Sequence, residues 1–201
     1  MNNEQLQSLG IDPKWLDPLN DTFAKYDIST PQRQACFIGQ CQHESTNFTK
    51  LEEGLNYSAT RLMAVWPSRF PSLDVANQYA NNPEKLANKV YGNRADLGNT
   101  QEGDGFAFHG RGCIQLTGRD SYERCGSSIG VDLVGSPDRL LDPEYAAMSA
   151  GWFWNKKGLN ALADDGSETA LETMTKRING GLIGLDERKA KMAKALTVLN
   201  S

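Results

Sequence analysis

Residues 30–44 read TPQRQACFIGQCQHE and predict the central helix of this protein. Thr30 is a good N-cap, and Pro31 suits the first helical position, where no backbone N–H is required. Apolar residues follow at helical spacing, and the pattern predicts a helix that runs to about Phe48. Residues 45–49 are weak helix formers and mark its fraying end.

Glu44 is the first candidate for a catalytic group. It shares a face of the predicted helix with Phe37 and Cys41, which lie seven and three residues before it. A carboxyl group on a partly apolar face is desolvated, and desolvation favours the protonated form that a general acid requires. Taken alone, such a glutamate is more often structural, held by a nearby Arg or Lys.

A second carboxyl group changes that balance, because Glu53 follows nine residues after Glu44. An inverting glycosidase needs two carboxyl groups roughly 6.5–9.5 Å apart, one to protonate the leaving oxygen and one to activate water. Nine residues of continued helix span about 13.5 Å, so the helix must end and the chain must turn back. The residue types alone do not decide between Glu52 and Glu53 as the second carboxylate.

Residues 110–118, which read GRGCIQLTG, suggest one wall of a binding cleft. If Cys113–Thr117 is extended, the apolar side chains face the core, and Gln115 and Thr117 face the cleft. The amide of Gln115 can then bind sugar hydroxyl or N-acetyl groups, and the hydroxyl of Thr117 can position water. A glycine-rich turn around an edge strand is the alternative for this segment taken alone.

The remaining pattern predicts a mainly α fold in a single domain, residues 1–201, with a smaller helical lobe at about 58–105. Asp142-Pro143 predicts the start of a helix that reaches Trp154, and residues 185–199 predict the last helix. Residues 92–110 contain five glycines and little periodicity, so we expect a long loop there. No separate wall-binding domain is expected.

The composition excludes several classes of function. A net charge of −4 without interleaved basic and aromatic residues argues against nucleic-acid binding. No run of about 18 apolar residues predicts a membrane span, and the first residues lack the regions of a secretory signal. With only two histidines and no paired cysteine spacing, we expect no metal and no other cofactor.

The four cysteines, Cys36, Cys41, Cys113 and Cys125, are expected to be free thiols. Because the chain also contains His109, a peptidoglycan amidase or peptidase with a Cys/His pair remains an alternative from a different class. A non-catalytic sugar-binding module is a third, although binding alone does not call for two carboxylates.

Six motifs then resemble glycoside hydrolase family 19, a chitinase family, and are most similar to its phage endolysins and bacterial lysozyme-like members. The resemblance covers about residues 33–195. The motifs are His43–Ser45, Leu51–Ser58, Trp66–Phe70, Val90–Arg94, Gly110–Gly118 and Asn179–Gly181. The resemblance implies a two-lobed, lysozyme-like fold with a minor β element lining the cleft. It also implies an inverting mechanism on β-1,4-linked N-acetyl sugars.

The same resemblance assigns roles to individual residues. It implies that Glu44 is the general acid, that Glu53 is the second carboxylate and that Thr117 helps to hold the attacking water. Gln115, Tyr122 and Asn179 match residues that bind substrate. Arg188 matches an arginine that supports the catalytic carboxylates.

We therefore expect a monomeric endolysin that cleaves β-1,4 bonds in the glycan strands of bacterial peptidoglycan and lyses the host cell. We expect synthesis in the host cytoplasm, release by a separate factor and action in the periplasm, without stable membrane association. A chitinase acting on polymers of N-acetylglucosamine is the alternative of the same class.

Overall fold

Twelve α-helices make up most of the protein in a computed structural model that describes all 201 residues. They are α1 Asn3–Ser8, α2 Leu16–Lys25, α3 Pro31–Glu44, α4 Ala59–Val65, α5 Leu73–Asn77, α6 Pro83–Tyr91, α7 Asp104–Ala107, α8 Arg119–Ile129, α9 Pro143–Lys156, α10 Leu159–Asp165, α11 Glu168–Asn179 and α12 Leu185–Leu199. None of them is long and apolar enough to cross a lipid bilayer. The predicted mainly α class is confirmed.

Helix α3 lies at the centre of the larger lobe, with α12 packed along it. The absence of a side chain at Gly39 permits this contact, since a Cβ there would lie 2.5 Å from Cγ of Met192. On another side of α3, the ring of Phe37 packs edge-on against Trp154, with 5.4 Å between ring centroids. An alanine at position 39 would therefore overpack the α3–α12 contact, at a cost of about 1–3 kcal/mol.

A separate cluster of eight buried apolar residues lies within residues 55–90, in the stretch expected to form the smaller lobe. Helices α4, α5 and α6 supply most of its members, and Phe70 and Leu62 are fully buried in it. Residues 92–110, expected to be loop, contain a 3₁₀ turn at Ala95–Leu97 and the short helix α7, which packs on α6. The loop is therefore held against the smaller lobe.

The only β structure consists of three isolated bridges, so the extended segment considered at Cys113–Thr117 is wrong. Residues 112–115 instead form a turn, closed by Leu116 N donating to Arg111 O at 2.8 Å. The turn needs positive φ angles, which are +85° at Gly112 and +54° at Gln115. Arg111 also bridges to Glu52, so the minor β element brings the 52–53 segment beside the glycine-rich wall.

Helix α3 ends at Glu44, four residues before the predicted end at Phe48. The Ser45 hydroxyl donates to Cys41 O at 2.6 Å and accepts a hydrogen bond from Phe48 N at 2.8 Å. The next three residues have left-handed backbone, with φ of 49°, 59° and 62° at Thr46, Asn47 and Phe48. We name residues 46–48 the left-handed turn, and it reverses the chain between the two candidate carboxylates.

Candidate active site

A polar cavity of about 270 Å³ brings together the two carboxylates and the glycine-rich wall. Its lining comes from the end of α3, the left-handed turn, the chain that follows that turn, and the 112–115 turn. The lining residues are Glu44, Thr46, Lys50, Glu52, Glu53, Gly54, Tyr57 and Gln115. The helix end and the chain reversal thus place three carboxyl groups around one space.

Glu44 stands at the last position of α3 with a side chain that is 19% exposed, and Arg188 donates to its carboxylate. The Arg188 guanidinium is almost completely buried and also donates to Gln40 Oε1 at 2.5 Å and to Ile183 O at 3.2 Å. The carboxyl group that was expected on a partly apolar helix face is therefore paired with a buried guanidinium.

The start of α12 fixes the position of Arg188. Gly184 caps the helix with a φ of +71°, and a Cβ there would lie 2.2 Å from the ring of His43. Only glycine fits both constraints, and Arg188 N then donates to Gly184 O at 2.9 Å in the first turn of the helix. The close approach of α12 to the end of α3 therefore delivers the guanidinium to Glu44.

Glu53 is held by neutral donors. Its Oε1 accepts a hydrogen bond from the Tyr91 hydroxyl at 2.6 Å, and its Oε2 accepts one from Gly110 N at 3.3 Å. Glu53 N in turn donates to Gly110 O at 2.9 Å. Burial and the neighbouring Glu53 raise the pKa of Tyr91, so the hydroxyl stays protonated and remains a donor.

Glu52 has different partners, although it is adjacent in sequence and also lines the cavity. Its Oε1 lies 3.0 Å from Nε2 of His109 and 3.8 Å from Nε of Arg111. The other ring nitrogen of His109 lies 2.5 Å from Phe106 O. Both partners of Glu52 are buried, and they hold its carboxylate in a structural ion pair. Glu53 is therefore the better candidate for the second catalytic carboxylate.

Residues 21–163 match the family model described as class I chitinase, glycoside hydrolase family 19. A family 19 domain-containing protein of Haemophilus influenzae is 37% identical over 169 residues, which cover 84% of this chain and 80% of that protein. The chain belongs to glycoside hydrolase family 19. It is a glycoside hydrolase, as predicted.

Plant relatives match over shorter stretches. Endochitinase 1 of Theobroma cacao is 37% identical over 95 residues, which cover 39% of this chain and 30% of that protein. Among solved structures, chitinase C from Streptomyces griseus has a TM-score of 0.66 and 19% identity over 100% of this chain and 76% of its own. A bacterial family 19 chitinase has a TM-score of 0.69 and 16% identity, and the match covers 99% of this chain and 94% of that chitinase. These structures confirm the two-lobed fold.

The remaining predicted residues of this family 19 enzyme lie at different depths. Gln115 lines the cavity, and its amide donates to Gly112 O at 3.0 Å. The Thr117 hydroxyl is partly exposed and donates to Gln115 O at 3.0 Å, outside the cavity lining. Asn179, at the end of α11, donates weakly to Ile183 O at 3.4 Å.

Tyr122, predicted to bind substrate, and Arg188, predicted to support the carboxylates, are both too deeply buried to reach substrate in this structure. Tyr122 is fully buried, and its hydroxyl donates to His109 O at 2.6 Å and accepts a hydrogen bond from Arg111 at 3.2 Å. Tyr122 therefore supports the glycine-rich wall from behind. Arg188, at 1% exposure, contacts Glu44, in keeping with the supporting role that the resemblance implied.

Sequence reasoning did not identify Tyr91, Gln40 or Lys50 as site residues. Tyr91 stands inside a motif that carried the family resemblance, but its hydroxyl reaches Glu53 only through a contact across 38 positions of sequence. Gln40 lies one helical turn before Glu44 in the same helix. This shared face is the only sequence signal that could have placed Gln40 near the site. Lys50 brings a positive charge to a cavity that holds three glutamates.

The cysteines lack the properties of catalytic nucleophiles. All four are buried and unpaired, as expected. Burial raises the pKa of Cys36 to about 11 and that of Cys125 to about 12, and it also raises the pKa values of Cys41 and Cys113. Because the thiolate is the nucleophile, these shifts argue against the amidase or peptidase with a Cys/His pair.

Proposed function

We propose that this glycoside hydrolase cleaves β-1,4 bonds in the glycan strands of bacterial peptidoglycan by an inverting mechanism. The observation that supports it most strongly is the convergence of Glu44 and Glu53 on one polar cavity, with different partners behind each. Two carboxylates held from different elements, with space between them for water, suit a single displacement.

In the proposed mechanism, Glu44 protonates the glycosidic oxygen as the leaving group departs. In the free enzyme the Arg188 guanidinium is paired with the Glu44 carboxyl group. Arg188 keeps the carboxyl at a fixed angle and stabilises the carboxylate that remains after proton transfer.

Glu53 acts as the general base and activates a water molecule on the opposite face of the sugar ring. The Tyr91 hydroxyl and Gly110 N fix its two oxygens, which leaves the remaining lone pairs for water. We propose that the Thr117 hydroxyl helps to hold this water and that the Gln115 amide binds an N-acetyl or hydroxyl group. Asn179, beside the α11–α12 turn, is proposed to contact the glycan.

Chitin is the second candidate substrate, and the names of the plant relatives favour it. The resemblance of the motifs to phage endolysins and bacterial lysozyme-like members of the family favours peptidoglycan instead. We further propose that the protein acts as a monomer on the host wall, after synthesis in the host cytoplasm and release by a separate factor.

Digestion of purified peptidoglycan and of colloidal chitin, followed by borohydride reduction and mass spectrometry, tests the proposal. Muramitol ends indicate cleavage as a muramidase, and glucosaminitol ends on muropeptides indicate a glucosaminidase. Reduced chitooligosaccharides without any product from peptidoglycan would establish the chitinase alternative. New free amines without new reducing ends would contradict glycosidase action altogether.

A further inference from the structure

The left-handed turn is the most unusual backbone in the molecule. Thr46, Asn47 and Phe48 all carry a Cβ and all have positive φ, a conformation that such residues adopt singly and seldom in succession. Unfavourable backbone of this kind persists only where surrounding contacts determine it, and it concentrates at functional sites. The contacts that determine this turn therefore bear on the site beside it.

The turn stands between the two carboxylates. Glu44 ends α3 immediately before it, Glu53 follows it, and Thr46 itself lines the cavity. Any change in the φ and ψ angles of residues 46–48 swings the chain that carries Glu53 relative to the helix that carries Glu44. The turn thus contributes to the separation between the two carboxyl groups, together with the contacts of Glu53 with Tyr91 and Gly110.

The side chain of Asn47 ties the turn to the N-terminal part of the chain. Its Nδ2 donates to Gly10 O at 2.6 Å, and its Oδ1 accepts a hydrogen bond from Gln42 Nε2 at 2.6 Å. The same Gln42 amide donates to Leu9 O at 3.2 Å. One turn residue is therefore bonded both to the helix that precedes it and to a segment 37 positions away.

An aromatic contact reinforces this attachment. The ring of Phe48 is buried at 3% exposure and packs against Trp15 with 4.9 Å between ring centroids. We name residues 9–15 the N-terminal clamp, since its carbonyl groups and its tryptophan hold the turn on one side. These residues precede the 21–163 stretch that matches the family model, so the clamp is built from sequence outside that match.

We propose that Asn47 is a positioning residue, through which the N-terminal clamp fixes the distance and angle between Glu44 and Glu53. The inference rests on the proposed function, because it takes those two glutamates as acid and base. Asn47 acts through the backbone of the turn and touches no reacting atom. Its loss should lower turnover more than substrate binding, since catalytic geometry is more sensitive to displacement than affinity is.

Asn47→Gly is the decisive variant, because glycine accepts the left-handed backbone but provides neither side-chain hydrogen bond. Asn81→Gly is the matched control, since Asn81 also has a left-handed φ, of 53°, but is exposed in the smaller lobe. Kinetics on peptide-free peptidoglycan glycan chains and on the N-acetylglucosamine hexamer, well below the melting temperature, should show kcat lowered about 10-fold for Asn47→Gly. KM should stay near the wild-type value, and Asn81→Gly should match wild type in both constants.

Asn47→Asp provides the second measurement. It retains an oxygen that accepts from Gln42 but cannot donate to Gly10 O, so an intermediate loss of kcat is expected. A folded Asn47→Gly or Asn47→Asp protein with wild-type kcat would overturn the inference, as would an equal loss in Asn81→Gly. If neither Asn47 variant folds, the residue is structural and the inference is also overturned.

The two glutamates separate failure of this inference from failure of the proposed function. If Glu44→Gln and Glu53→Gln are inactive while the Asn47 variants turn over normally, only the positioning role is lost. If the glutamate variants themselves retain wild-type turnover, the proposed acid and base are wrong, whatever the Asn47 variants do.

Discussion

The two carboxylates of the site are held in opposite ways. Glu44 belongs to the central helix of the larger lobe and is paired with a buried, charged guanidinium. Glu53 follows the left-handed turn and is held by a tyrosine hydroxyl from the smaller lobe and a backbone amide. Each carboxylate thus takes its partners from a different part of the molecule.

This difference matches the division of labour in the proposed mechanism. An acid that becomes negative during the reaction gains from a neighbouring positive charge, as Arg188 provides for Glu44. A base must keep lone pairs available for water, and neutral donors fix Glu53 without neutralising it. Glu52 shows the contrast within one segment, since its pairing with His109 and Arg111 withdraws it from that role.

The largest effect is expected at Glu44. Glu44→Gln should keep the fold but lower kcat by about 10²–10⁴-fold or to background, because an amide N–H is not acidic enough to protonate the leaving oxygen. Reducing-end assays on digested peptidoglycan measure this loss, and circular dichroism checks the fold. Turnover close to wild type would remove Glu44 from the mechanism.

Glu53→Gln should lower kcat almost as far, also by about 10²–10⁴-fold, because the attacking water then lacks its general base. Glu52→Gln is the matched control, adjacent in sequence and also on the cavity, and it should retain substantial activity. The same reducing-end assay compares the two variants. If Glu52→Gln loses activity and Glu53→Gln retains it, Glu52 is the general base. The contrast drawn between the charged partner of Glu44 and the neutral partners of Glu53 would then be wrong as well.

Tyr91→Phe should lower kcat by roughly 10-fold, because Glu53 then loses the donor that orients it. Tyr79→Phe serves as the control, since Tyr79 packs at the edge of the same smaller-lobe cluster. Steady-state kinetics of both variants provide the measurement. Equal losses would show that the smaller lobe is sensitive to any such change and that Tyr91 has no special role.

The smallest effect concerns the thiols, which the mechanism does not use. At pH 8 the folded protein should react very slowly with iodoacetamide, because burial holds the pKa of Cys36 at about 11 and that of Cys125 at about 12. The denatured, unreduced protein should yield four free thiols by titration. Rapid labelling of the folded protein together with loss of activity would revive a cysteine-based mechanism.

Local sequence signals predicted much of the helical framework. The last helix has the expected bounds, Leu185–Leu199, and the helix opened by Asp142-Pro143 extends two residues beyond the expected Trp154, to Lys156. Caps, proline positions and apolar spacing act within a few residues, so these elements can be predicted from the sequence. Glu44 followed from the same local reasoning, which left the second carboxylate open between Glu52 and Glu53.

The end of α3 and the wall at 110–118 could not be predicted in this way. Left-handed backbone at Asn47 depends on contacts with Gly10, and no local signal reports a partner 37 positions away. Gln115 likewise adopts a positive φ within a turn that Arg111 closes. The choice between Glu52 and Glu53 depended on His109 and Tyr91, which only the folded chain brings to them.

The stereochemistry of the first product tests the central claim, that Glu44 and Glu53 act in a single displacement. Proton NMR of the early products from an N-acetylated β-1,4 oligosaccharide, recorded before mutarotation, reports the configuration at the new reducing end. Because water attacks opposite the leaving group, the account predicts that the α-anomer forms first. An initial β-anomer would indicate a covalent intermediate and would contradict the role assigned to Glu53.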